Sequence, residues 1–226
     1  MNALIVLSQY QTKLLVAQAV AQKIKNSTQR IYISYGSTNQ MILHEMGIHI
    51  ENYYNGYIEY NLNVNDNKPR VVILNDIDNT FLESINENDI IIKGANALCY
   101  ENGKYKAAVA VASFNGGTYG TVIMKASFAG SQVIIPVTHE KLIPTFLNNM
   151  YHQNSFDIVE TIPVALAELT YGRIYTEIDA MLDMFNLNAQ IYLAGSINTH
   201  DRSLTFIING NSENIDNLLK WKKDTI

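Results

Sequence analysis

Residues 88–98 read "NDIIIKGANAL". Ile90, Ile91 and Ile92 are apolar on successive positions, which leaves neither face of a strand for water. The run predicts a short strand buried on both faces, of the kind found in parallel sheets covered by helices. It ends in Lys93, Gly94, Ala95 and Asn96. One strand end would therefore bring a cation, a turn residue and an amide to one point, with no acid beside them.

The same pattern recurs on both sides of this stretch. "RIYIS" (30–34), "RVVILN" (70–75), "YKAAVAVASF" (105–114) and "SQVIIPV" (131–137) read as further strands, and Leu4 to Leu7 as a short one. Leu14, Leu15, Ala17, Val20, Ala21 and Ile24 recur near the helical period, which predicts a helix over 11–25. A second helix is expected over 40–46 with Ser37 or Thr38 as its cap, and a third after the glycine turn, up to Phe128. Residues 51–68 are rich in tyrosine and asparagine and show no clear period. Short apolar strands alternating with helices predict an α/β fold, a mostly parallel sheet with helices on both faces. Beyond the polar stretch 151–157 the rhythm changes. A helix over 175–185 capped by Thr176, strands at 189–197 and 203–210 and a helix over 212–223 capped by Ser212 suggest a small α+β subdomain of split β-α-β type. A Rossmann-like domain over 1–150 and a subdomain over 151–226 are the expected organisation.

Composition narrows the function classes. The 226 residues are 47% hydrophobic and carry a net charge of -5. Nucleic-acid binding needs a basic footprint that this chain lacks. No run approaches the roughly 20 apolar residues of a membrane span, and the apolar run near the N-terminus is too short for a signal-peptide core. A cytoplasmic protein is expected. The single cysteine, Cys99, excludes an internal disulfide and reads as a small buried side chain. The five histidines lack the spacing of a zinc site. Neither metal nor cofactor is expected.

In an open parallel sheet, ligands bind beyond the carboxyl ends of the strands. Three loops are predicted to meet there. Gly36, Ser37, Thr38 and Asn39 open a helix whose free N–H groups attract phosphate or carboxylate, although a plain helix cap fits the same residues. Lys93, Gly94 and Asn96 supply a positive charge and an amide that both donates and accepts; a strand-end turn with a solvated lysine is the bland alternative. Gly116, Gly117 and Thr118, after Asn115 and before Gly120, resemble an anion cradle, or simply a flexible turn. Asp76, after a strand, and Glu140, in "PVTHEKLIP" (136–144), are the candidate acids.

"TKLLVAQAVAQKI" (12–24) followed by "IYISYGSTNQMILHEM" (31–46) resembles the opening of ribose-5-phosphate isomerase A, where a helix begun by a lysine precedes a strand and a Gly-Ser-Thr phosphate loop. "IIIKGANAL" falls where that family has a strand ending in Gly-Ala-Asp-Glu. With "GGTYG" (116–120), "PVTHEKLIP" and "YTEIDAML" (175–182), the pattern looks closest to a prokaryotic family built on the fold shared by ribose-5-phosphate isomerase, glucosamine-6-phosphate isomerase and CoA-transferase. The resemblance implies that Ser37 and Thr38 contact a phosphate and that Lys93 neutralises it. It also exposes a departure. Aldose–ketose isomerisation needs a carboxylate base, and Asn96 and Ala97 stand where the acids would be. The expectation is a protein that binds an anionic small molecule, a sugar phosphate, nucleotide or CoA-like ligand, at the strand rim. Whether it turns that ligand over, by isomerisation or CoA chemistry, stays open. The alternative is a non-catalytic sensing or self-associating protein, a homo-oligomer built on the tyrosines of "ENYYNGYIEY" (51–60).

Overall fold

The computed structural model describes residues 1–50, 57–63, 68–74, 77–113, 116–146, 156–160, 162–195 and 202–225. In chain order the strands are β1 (Asn2–Leu7), β2 (Ile31–Ser34), β3 (Tyr57–Asn63), β4 (Lys68–Leu74), β5 (Ile90–Ile92), β6 (Ala97–Glu101), β7 (Lys104–Val111), β8 (Gln132–Pro136), β9 (Ala165–Glu168), β10 (Arg173–Tyr175), β11 (Asn188–Ala194) and β12 (Leu204–Asn209). The helices are α1 (Gln9–Ile24), α2 (Ser37–Glu45), α3 (Asn79–Ser84), α4 (Met124–Ala129), α5 (Glu177–Phe185) and α6 (Ser212–Asp224).

The isoleucine run lies at the centre. β5 is flanked by β2 and β8, both parallel to it, in a six-stranded sheet of order β10–β8–β5–β2–β3–β4. Successive side chains of a strand point to opposite faces, and each face meets its own core. Ile31, Ile33, Ile90, Ile92 and Ile134 pack against α1, α2 and α5. Tyr32, Ile91, Val133 and Ile135 pack on the other side, against Phe81 of α3, Ala126 of α4 and the sheet carrying Leu98, Ala107 and Val109. This double burial explains why the run needs no polar position.

The fold is α/β, but its parallel part is limited to four strands. β2, β5, β8 and β10 run parallel. β3 and β4 extend the same sheet antiparallel, and the other strand–strand pairings among the described residues are antiparallel. The expectation of a mostly parallel sheet is therefore corrected, for two reasons. The strand at 70–74 lies on the edge, and Val71 and Ile73 are 37% and 47% exposed, so it is not covered on both faces. The strand at 104–111 leaves the central sheet and pairs with β6 and β9. Chain length decides this second case. A parallel neighbour needs a crossover of a dozen or more residues, whereas β6 begins just after Ala95 and Asn96. Asn102 and Gly103, both at positive φ (52° and 77°), then close the β6–β7 hairpin. An Asn-Gly pair is the usual two-residue turn of this kind, because both central residues need φ above zero.

Strand pairing also crosses the expected boundary near 151–157. β10 adds to the central sheet, and β1 pairs with β12. β1 and β11 run parallel to each other with antiparallel β12 between them, and α5 and α6 cover this small sheet through Met181, Ile215 and Leu218.

Helix starts follow side-chain chemistry. Ser8 and Gln11 form a capping box at α1, and Asp78 caps α3 by accepting from Phe81 N–H at 2.7 Å. Thr176 caps α5 as expected. Two expected caps move towards the N-terminus. Asn211 rather than Ser212 caps α6, with its amide oxygen on Asn214 N–H, and Gly36 rather than Ser37 or Thr38 precedes α2.

The tyrosines that suggested self-association lie partly in residues 51–56, outside the described residues. Tyr57 and Tyr60 are buried in their own chain, and the Tyr60 hydroxyl donates to Lys25 C=O at 3.1 Å. Among the described residues, no helix is long and apolar enough to cross a membrane.

Candidate functional site

The four parallel strands point their carboxyl ends to one rim. β2 delivers Ser34 to Asn39, β5 delivers Lys93 to Asn96, β8 delivers Val137 to Lys141, and β10 delivers Thr176 and Glu177. A cleft of about 500 Å³ opens where the first two meet. Of the expected residues, Gly36, Ser37, Thr38, Asn39, Lys93, Gly94, Asn96 and Thr118 line it, joined by Ser34 and Lys141. A larger groove of about 770 Å³ between α1 and α2 shares only Ser37 with this cleft and contains none of the strand-end residues.

The start of α2 forms one wall. Gly36 has φ 154° and ψ 150°, a conformation that side chains disfavour, and no side chain caps the helix. The N–H groups of Ser37, Thr38 and Asn39 belong to the first turn, which has no acceptor within the helix. They carry the positive end of the helix dipole. Thr38 is buried, and its Oγ1 has no hydrogen-bond partner among the described residues. A buried hydroxyl left unbonded is costly, so this one is poised for a ligand or a water. Gly36→Ala tests the wall. A Cβ there meets nothing closer than Asn39 Nδ2 at 4.0 Å, so backbone strain is the main effect. We expect a stability loss of about 1–2 kcal/mol in urea denaturation, with weaker anion binding.

Asn39 is more a strut than a ligand contact. Its Nδ2 donates to Ser34 C=O at 2.8 Å and to Ser34 Oγ at 3.1 Å, tying α2 to the end of β2. Its Oδ1 lies beneath Gly94 with no hydrogen-bond partner among the described residues. Asn96 is similarly divided. Its Oδ1 accepts from Ala110 N–H at 2.9 Å and anchors β7 to the rim, while the residue itself remains exposed at the cleft. Gly116 and Gly117, at φ 75° and 55°, build a turn in which Gly116 N–H donates to Ser113 C=O. They shape the approach to Thr118 and do not line the cleft. Asn115 and Asp76 lie outside the described residues.

Lys93 is one of two lysines in the cleft lining. Among the described residues it has no ion pair and the cleft lining contains no carboxylate. Burial, aided by the nearby charge of Lys141, lowers its pKa from the ordinary lysine value to about 8. Lys141 donates to Ala95 C=O at 2.6 Å, and burial holds its pKa down as well, opposed by Glu140. The cleft of an acidic protein thus presents two cations and an uncapped helix start.

The acids sit one strand further along. The Glu140 side chain is almost fully buried and pairs with Lys13 of α1 at 2.9 Å, and its Oε2 has no hydrogen-bond partner among the described residues. The carboxylate of Glu177, also buried, accepts from His139 N–H at 3.0 Å and meets His139 Nδ1 at 2.7 Å. A carboxylate only accepts, so Nδ1 carries the proton. His139 Nε2 is buried with no hydrogen-bond partner among the described residues, and the His139 and Tyr105 ring centroids lie 4.9 Å apart. Glu177 is absent from the acids expected from the sequence; its local signal is an acid directly after the Thr176 cap at a strand end. Among the described residues, no three His, Cys, Asp or Glu side chains gather as a metal site would require. No protein-family model, curated protein or solved structure matches this chain.

Proposed function

We propose that this protein binds an anionic, phosphorylated small molecule in the strand-end cleft, with the phosphoryl group on the start of α2. The observation that carries this reading is the cleft lining: Lys93, Lys141, the first-turn N–H groups and the unbonded Thr38 hydroxyl, with no acid among them. In a protein of net charge -5, such a site reverses the local field and favours anions. A volume of about 500 Å³ is in the range of small-molecule sites, enough for a sugar phosphate or for the charged part of a nucleotide or CoA. The reading includes a cytoplasmic setting and the resemblance to the ribose-5-phosphate isomerase, glucosamine-6-phosphate isomerase and CoA-transferase fold, through the strand, Gly-Ser-Thr and helix order at 31–46.

Isomerase-like turnover would need a carboxylate base, and Asn96 and Ala97 offer none. Glu140 is held by Lys13 and is absent from the cleft lining. Ligand sensing is the second reading, since anion binding by Lys93, Lys141 and the start of α2 needs no acid. Calorimetry with sugar phosphates, nucleotides and CoA, against the same sugars without phosphate, tests the proposal. We expect saturable binding of phosphorylated compounds only, weakened at least tenfold in the Thr38→Ala, Lys93→Ala double variant. Equal, poor binding by both proteins would overturn it.

A further inference from the structure

We propose that Lys93 is a covalent site, forming an imine with a carbonyl-bearing ligand whose phosphoryl group rests on the start of α2. The inference rests on the anion reading above and adds a reactive atom to it. Three structural observations support it. Lys93 leaves β5 directly into the cleft, whose volume of about 500 Å³ leaves room for a carbonyl carbon next to the amine. No carboxylate among the described residues pairs with it, so none of these holds it as an ammonium. A second cation, Lys141, lies in the same lining, its own Nζ engaged by Ala95 C=O at 2.6 Å. Desolvation beside another cation is a general way of making a lysine nucleophilic.

The magnitude is consistent with this role. With a pKa of about 8, about a tenth of Lys93 is free amine at pH 7, roughly 300-fold more than for an ordinary lysine. The step balances without a further reagent. The Nζ lone pair attacks the carbonyl carbon and a C–N bond forms. The carbonyl oxygen then leaves as water, taking both hydrogens of the amine. The imine picks up a proton from solvent and restores a positive charge beside the phosphoryl group. The acid missing from the cleft is not needed for this step, which explains how the site can be chemically competent with Asn96 and Ala97 in place of acids.

The test is reductive trapping. Wild-type protein is incubated at pH 8 with glyceraldehyde 3-phosphate and sodium cyanoborohydride, digested, and its lysines compared by peptide mass spectrometry. We expect Lys93 to be modified at least tenfold more than exposed lysines such as Lys104 and Lys220, with inorganic phosphate suppressing the reaction. Glyceraldehyde without phosphate should label Lys93 no more than those surface lysines. Calorimetry with glyceraldehyde 3-phosphate, without reductant, on Lys93→Arg, which retains a cation, separates the two claims. Phosphate-dependent binding with no preferential adduct at Lys93 would overturn the imine and leave the anion site standing. Absence of both binding and adduct would overturn both.

Discussion

Replacing Glu177 with alanine is expected to cost about 3–5 kcal/mol of stability, the largest effect of any single change at the rim. Glu177 is fully buried, and its carboxylate accepts from both the backbone N–H and Nδ1 of His139. Removing it strands two buried donors at once. Each unsatisfied buried donor costs about 1–3 kcal/mol, and the two together place the loss in this range. Glu177 also sits in the first turn of α5, where a negative charge favours the helix dipole. Glu177→Gln keeps the shape and one acceptor oxygen, so it should lose about half as much. Urea denaturation at pH 7 measures both. A loss below 1 kcal/mol for the alanine variant would mean that this pair does not hold the β8 and β10 ends together.

Replacing Lys93 with methionine is expected to act in the opposite sense on stability while removing function. The folded protein holds the Lys93 pKa near 8, below its ordinary value. At pH 7 the ammonium is therefore present in both states but is penalised only in the folded one. The native state binds fewer protons than the unfolded chain between about pH 8 and the ordinary lysine value, so stability rises with pH through that window. Methionine keeps the aliphatic stem and deletes the charge. It should stabilise the protein at pH 7 by roughly 1–2 kcal/mol, with the advantage shrinking towards pH 11. Binding of phosphorylated ligands should fall tenfold to a hundredfold. Such a trade, in which a residue costs stability and supplies function, is typical of sites. A destabilised Lys93→Met variant would contradict the view of Lys93 as an unpaired cation.

How far the sequence reveals this site depends on the range of each interaction. The isoleucine run at 90–92 contains its own answer, since burial on both faces is a property of consecutive residues. The Thr176 cap and the period of α1 are equally local. The partner strand of 104–111 is not, because alanine and valine in succession fit a covered antiparallel sheet as well as a parallel one. The Asn102-Gly103 turn was the available signal, and it outweighs the apolar pattern. At the rim, Lys93 and the glycine before α2 could be read from strand ends. The approach of Lys141 to Lys93 could not, nor could the pairing of His139 with Glu177 across 38 residues. Both come from the order of the parallel strands, which depends on the whole sheet.

Titrating a sugar phosphate into wild-type protein and Lys93→Arg at pH 7.0 and pH 9.5 is the most direct test of the cleft. A phosphate monoester is a dianion at both values, so the change in charge falls on the protein. Wild type should bind at pH 7.0 and lose at least tenfold in affinity at pH 9.5, as Lys93 gives up its proton, whereas Lys93→Arg, with only Lys141 left to titrate, should lose clearly less. Absence of saturable binding at pH 7.0, or the same pH dependence in both proteins, would contradict a phosphate site built around Lys93.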